Sequence, residues 1–329
     1  MNVRRLIPST VLAGATALGL VGLTACAADE SSGRTKDGKL DVVASFYPVQ
    51  FLAERIGGEH VEVTALTKPG TEPHDLELKP RQIGRLSEAG LVVYLKGVQP
   101  AVDDAIEENG PEHIAELSTF TELEEHGSAV DGHGHEDEEH GADEHAEEGH
   151  DHGHDGDADP HVWLDPVKYA EAAEGVGKAL QKADPDHAAD YRKNTAGLVR
   201  ELHALDTEFK EGLAGRSSDT FITTHAAFGY LADRYGLRQE AISGVDPESE
   251  PSPARIRELH ETAEHEKVGT VFFETLASDR TARTLADDLN LKTDVLDPLE
   301  GITDRSRGDD YFAVQRANLK ALRQALGAR

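Results

Sequence analysis

The stretch from Thr121 to Pro160 sets the first limit on how this chain folds. It holds no Phe, Trp or Tyr, and His126, His133, His135, His140, His145, His150, His152 and His154 alternate there with Asp, Glu and Gly. A run like this has no apolar area to bury against the entropy of ordering it, so it is expected to be disordered. Ordered structure must come from the residues on either side. The chain has 329 residues, enough for two domains, and 38% of them are hydrophobic. The net charge is −30, from 33 Lys and Arg against 63 Asp and Glu. That argues against a nucleic-acid partner, whose phosphates need basic side chains, and suits a protein that meets cations. Much of the acid lies between Glu122 and Asp159, so part of the charge is a local property of the run.

Both flanks alternate between strand and helix patterns. Before the run, Leu40–Phe46, Val61–Leu66 and Leu91–Leu95 read as strands, and Tyr47–Ile56, Arg81–Ala89 and Val98–Glu108 as helices. After it, Asp165-Pro166 is a helix start, with Asp as N-cap and Pro at the first position. A second start at Asp184-Pro185 opens a longer helix. Leu198, Leu202, Leu205, Phe209 and Leu213 form one apolar stripe on it, ending near Gly215. Strands over Thr220–Thr224, Glu240–Ile242, Thr270–Phe273 and Lys292–Leu296 then alternate with helices over Phe228–Tyr235, Pro253–Glu266, Arg280–Leu289 and Tyr311–Leu326. The expected fold is α/β: two lobes, each a mainly parallel sheet covered by helices, joined by one long helix. The lobes are assigned to 39–184, with the run at 121–158 inserted, and to 216–329; the joining helix takes 185–215.

The N-terminus reads as an address. Arg4 and Arg5 precede an apolar stretch, Val11–Leu23, that is short for a membrane span. Cys26 is the only cysteine, so a disulfide within the chain and a multi-cysteine zinc site are both excluded. Leu23-Thr24-Ala25-Cys26 resembles the bacterial lipoprotein signal. This implies a signal peptide at 1–25, lipidation at Cys26 and a flexible tether over 26–38, with the protein held at the outer face of the cell membrane.

Candidate ligands fall at strand ends, where open α/β sheets gather ligands. His74 follows the second strand in a Pro- and Gly-stiffened loop, His225 ends the Thr220–Thr224 strand, and Asp297 ends the last. Taken singly, each is also readable as a surface, capping or turn residue; their shared position gives them weight. His161 stands in Asp159-Pro160-His161-Val162-Trp163-Leu164-Asp165-Pro166, beside the only tryptophan. His260 and His265 imitate a zincin motif, but five residues apart they lie about 140° apart on a helix, not on one face.

Four segments together resemble one family. Gly70-Thr71-Glu72-Pro73-His74-Asp75-Leu76-Glu77, the Asp159–Pro166 segment, Thr223-Thr224-His225-Ala226-Ala227-Phe228-Gly229-Tyr230 and Leu296-Asp297-Pro298-Leu299 occur in order. With the His-rich insert and the lipidation signal, they resemble the zinc-binding (ZnuA-type) solute-binding lipoproteins of bacterial ABC metal importers. The resemblance implies a metal site in the cleft between the lobes, built from His74, His161, His225 and Asp297. It implies Zn²⁺ as cargo, an ABC permease as partner, a zinc metallochaperone as a further candidate partner, and a monomer. Manganese members carry a carboxylate in place of His225, so a manganese or other divalent-metal receptor is the rival within the family, and a zinc-dependent surface adhesin the rival outside it. A closed set of four protein ligands leaves no open position for catalysis, and no enzyme is expected. The eight insert histidines are expected to bind metal weakly, as collector, sensor or buffer.

Overall fold

In the computed structural model of the protein, residues 33–126 and 158–328 are described. Cys26, the N-terminal address and seven of the insert histidines, from His133 to His154, lie outside them; His126 lies inside.

Each half is a four-stranded parallel sheet. The first contains β1 (Leu40–Ala44), β2 (Val61–Ala65), β3 (Leu91–Tyr94) and β4 (Ile114–Glu116), in the order β2-β1-β3-β4. The second contains β5 (Thr220–Thr223), β6 (Arg238–Ala241), β7 (Thr270–Phe273) and β8 (Lys292–Val295), in the order β6-β5-β7-β8. Parallel strands need crossovers and have both faces covered, so the central strands are continuous apolar runs. Val42, Val43 and Ala44 in β1, like Leu91, Val92 and Val93 in β3, have no exposure.

The crossovers are α1 (Tyr47–Gly57), α2 (Pro80–Glu88) and α3 (Pro100–Asn109) in the first half. In the second they are α6 (Gly229–Tyr235), α7 (Pro253–His265) and α8 (Arg280–Leu289). Between the sheets run α4 (Pro166–Ala183) and α5 (Ala188–Gly212), and α9 (Tyr311–Ala325) closes the chain. Asp165 caps α4 by accepting from the Val167 N–H at 2.8 Å. The joining helix begins with a 3₁₀ turn, Pro185–His187, before α5 proper, whose 25 residues make it about 38 Å long. All five residues of its stripe, Leu198, Leu202, Leu205, Phe209 and Leu213, are buried. They lie against α1 and α4 on the side of the first sheet and α9 on the side of the second. Each buried side chain of this size is worth about 1.5–3 kcal/mol, so α5 is held by both halves. One apolar core accordingly runs from Leu40 to Leu326 through residues of both sheets.

Candidate metal centre

Three histidines meet on one carboxylate. Glu300 Oε1 lies 3.4 Å from His74 Nε2, 3.1 Å from His161 Nε2 and 3.3 Å from His225 Nε2. His161 Nε2 and His225 Nε2 are 3.3 Å apart. A tetrahedron with metal–ligand bonds of about 2.0–2.1 Å has edges of about 3.3 Å, so these four separations match the spacing of donors around one small cation. His74 is the outer member. It shares a cluster with His161 and Glu300 whose donor atoms lie within 4.8 Å of one another, and its side chain is 12% exposed where the other three are sealed.

The fold delivers each group from a different loop. His74 comes from the turn after β2, His225 from just past β5, and Glu300 from the segment after β8. His161 precedes the 3₁₀ turn Val162–Leu164 that leads into α4. Trp163 binds that turn to the second half, its indole N–H donating to Pro298 O at 2.7 Å, while Tyr311 Oη donates to Trp163 O at 2.7 Å. The loops carrying His161 and Glu300 are thereby tied together.

A second set of carboxylates orients the rings. Asp159 Oδ1 accepts from His161 N–H at 2.9 Å and from Nδ1 at 2.7 Å. Glu274, directly after β7, accepts from His225 Nδ1 at 2.6 Å and also from the Thr224 hydroxyl. An ionised carboxylate only accepts, so each Nδ1 carries hydrogen and each Nε2 is turned to the centre. Burial alone would lower the pKa of the His225 imidazole, but the Glu274 and Glu300 carboxylates outweigh it and hold it well above its ordinary value. Burial likewise opposes the charged form of His161, and Asp159, followed by Glu300, reverses the balance and raises it. Burial pushes Glu300 upward, but the hydrogen bonds from His161, His225 and His74 hold it well below the usual carboxylate range. Without a cation, protons on imidazole neutralise this carboxylate.

Unsatisfied oxygens point the same way. Oε2 of Glu72, of Glu274 and of Glu300 are buried without a hydrogen-bond partner. Orphaned buried carboxylate oxygens need a reason, and a cation among them supplies one. Glu72 also faces this region. Its Oε1 accepts from the His74 backbone N–H at 3.3 Å, and burial followed by the nearby Glu300 pushes its carboxyl up to about 8.

The fourth expected ligand, Asp297, is not with the histidines. Its Oδ1 accepts from Leu299 N–H at 2.9 Å and its Oδ2 from the Thr275 hydroxyl at 3.1 Å. Its backbone is paired with the Asn318 amide on α9, at 2.9 and 2.7 Å. Among the described residues it joins no candidate metal group, whereas Glu300 belongs to two. The reason is local: Asp297 fixes a turn through Pro298 in which Leu299 takes a left-handed φ of 61°, and that turn aims Glu300 inward. The sequence signal was the second acid of Asp297-Pro298-Leu299-Glu300, since the acid before a proline is often committed to its own turn. Sequence reasoning also passed over Asp159, Glu274 and Glu72. His260 and His265, on α7, join no candidate metal group among the described residues.

Two α/β halves share one core, and a buried imidazole–carboxylate cluster where their loops meet is a candidate metal site. The model of the ZnuA family, described as "Zinc-uptake complex component A periplasmic", matches residues 42–325, and the chain belongs to that family. It is 38% identical over 322 residues to the zinc-binding lipoprotein AdcA of Streptococcus pneumoniae serotype 4, covering 96% of this chain. The chain spans 60% of that relative's length. It is 34% identical over 310 residues to the high-affinity zinc uptake system protein ZnuA of Bacillus subtilis, covering 93% of this chain and 94% of that protein. Among solved structures, the Zn(II)-bound ZnuA-like domain of S. pneumoniae AdcA matches with a TM-score of 0.69 at 33% identity, over 88% of this chain and 99% of that one. The laminin-binding protein Lmb of Streptococcus agalactiae, described as a bifunctional protein with adhesin and metal-transporting activity, matches with a TM-score of 0.72 at 28% identity, over 87% of this chain and 99% of that one.

Proposed function

We propose that the chain is the extracytoplasmic zinc receptor of an ABC importer, which captures Zn²⁺ and passes it to a membrane permease. The observation that carries this is the convergence of three imidazole Nε2 atoms on Glu300 Oε1 at 3.1–3.4 Å. The ligands of this reading are His74, His161, His225 and Glu300, with Asp159 and Glu274 holding two of the rings. Three nitrogens and one oxygen suit Zn²⁺, whereas Mn²⁺ favours more oxygen. Four protein donors leave no position for an attacking water, and we assign the chain no catalytic role. The zinc named in relatives such as AdcA and ZnuA supports the same cargo.

Cys26 is the lipid anchor in this reading. The relative AdcA is named a lipoprotein, and among the described residues no helix is long and apolar enough to cross a membrane. A metallochaperone donor and a monomeric state complete the proposal. The likeness to laminin-binding Lmb favours a second reading, a zinc-dependent surface adhesin. Deletion of the gene separates the two. A receptor gives a growth defect in zinc-poor medium that the wild-type gene corrects and a His161→Ala gene does not. Normal growth with lost attachment to laminin would favour the adhesin.

A further inference from the structure

His225 is held by its carbonyl as well as by its ring. Gln239, on β6, donates from Nε2 to His225 O at 2.9 Å and to Thr223 Oγ1 at 2.7 Å. The Thr223 hydroxyl donates in turn to His225 O at 2.7 Å. The Gln239 side-chain oxygen accepts from the Phe228 N–H at 3.0 Å. An amide oxygen accepts and its nitrogen donates twice, so the Phe228 N–H fixes which way round this amide sits. One side chain thus spans the turn from the end of β5 to the start of α6.

The main chain grips the same turn on either side of the histidine. Ser243 N–H donates to Thr224 O at 2.8 Å and Ala226 N–H to Gly244 O at 2.9 Å. The His225 carbonyl is left to Gln239 and Thr223. His225 and Thr223 are both buried, so a carbonyl stripped of these donors there has no bulk water to replace them. The strand register supplies the reach: Gln239 pairs with Phe221, two residues before Thr223 on β5.

We propose that Gln239 is a positioning residue of the zinc centre. It acts through the His225 backbone. With Thr223 it locks the carbonyl, while Glu274 locks Nδ1, so Nε2 stands at the centre before the cation arrives. A donor set already in place loses less freedom on binding and holds its cation more tightly. His74 stands on a turn and is the most exposed of the four groups. The Gln239 clamp makes His225 the fixed member of the set, against which the cation is held while the His74 side exchanges.

This inference rests on the zinc reading above, and the test keeps the two apart. The full chain is titrated with Zn²⁺ against a competing chelator, and separately with Co²⁺, whose visible absorption reports the geometry of its donors. Wild type is compared with Gln239→Met, Thr223→Val, Thr223→Ser and Asp184→Asn. Gln239→Met keeps the side-chain length and adds no charge; Thr223→Val keeps the shape and suits a buried strand. Both are expected to weaken zinc binding about 10–100-fold and to alter the Co²⁺ spectrum. Thr223→Ser keeps the hydroxyl and is expected to restore wild-type values. Asp184→Asn weakens the start of the joining helix, and is expected to lower the melting temperature with affinity and spectrum unchanged. Gln239→Met with a lowered melting temperature but wild-type affinity and spectrum overturns the positioning role alone. If Gln239→Met does not fold, the Thr223 pair decides by the same criteria. A wild type without a tight zinc site overturns the receptor reading, and this inference with it.

Discussion

Asp297 and Glu300 stand three residues apart, and their partners give them different work. Asp297 serves its own turn and Thr275; Glu300 Oε1 is paired with imidazoles, and its other oxygen is unpartnered. Asp297→Asn is therefore expected to lower stability by about 1–2 kcal/mol through a weakened turn, with zinc affinity changing far less than in Glu300→Gln. Chemical denaturation beside a zinc titration checks both. A loss of affinity in Asp297→Asn as large as in Glu300→Gln would return Asp297 to the ligand set. The protons on the metal-free site make a second prediction. The His225 imidazole is held well above its ordinary value, so at neutral pH it keeps a proton that zinc must displace. Titration calorimetry at pH 7 in buffers of different ionisation enthalpy should show net proton release, and zinc affinity should fall as pH drops. A heat independent of buffer would contradict this.

At the scale of elements, α5 is the member both halves depend on. Phe209 is buried on it and stacks on Tyr235 at 5.0 Å. Phe209→Ala should cost about 3–5 kcal/mol in unfolding free energy, read from denaturant midpoints. The start of this helix is pinned by Asp184, which accepts from Tyr191 Oη at 2.6 Å and Arg34 at 2.7 Å and faces His187 Nδ1 at 2.7 Å. Burial would raise the Asp184 pKa, but these hydrogen bonds outweigh it and the carboxyl is lowered. A carboxyl lowered by folding stabilises the protein above its unfolded pKa, about 3.9, and that contribution disappears as pH falls through the folded value. Asp184→Asn should therefore lower the melting temperature at neutral pH and shrink the difference from wild type below about pH 3. An equal difference at both pH values would count against it.

Most elements were legible because their pattern was long or capped. The stripe from Leu198 to Leu213, the Asp165-Pro166 start and the apolar strands β1, β3, β5 and β7 all carry periodicity or punctuation. Strand β4 does not: three residues, Ile114–Glu116, are too few to show a period, and its partner β3 defines it. The site was partly legible for a similar reason. His74, His161 and His225 stand in distinctive segments, whereas Glu300 is aimed by a left-handed Leu299 that no spacing announces. Asp159 and Glu274 are known only through the rings they hold.

At the scale of the molecule, the two sheets share one apolar core and α5 packs against both. A wide hinge opening would split that core, so metal exchange belongs to loops. His74, on a turn and the most exposed of the four groups, is the member best placed to move. Small-angle scattering of the full chain with and without zinc should give the same radius of gyration to within about an ångström, since densely packed interiors do not deform continuously. A change of several ångströms on zinc removal would mean that the halves separate.

The most direct test of the central claim is a zinc titration of the full chain against a competing chelator, for wild type, His225→Ala and Glu300→Gln, with Mn²⁺ as rival. The account predicts one tight site in wild type that Mn²⁺ does not displace, with affinity at least 100-fold weaker in both variants, about 2.7 kcal/mol or more. Wild-type affinity retained in both variants would place tight binding elsewhere and contradict the assignment of His74, His161, His225 and Glu300.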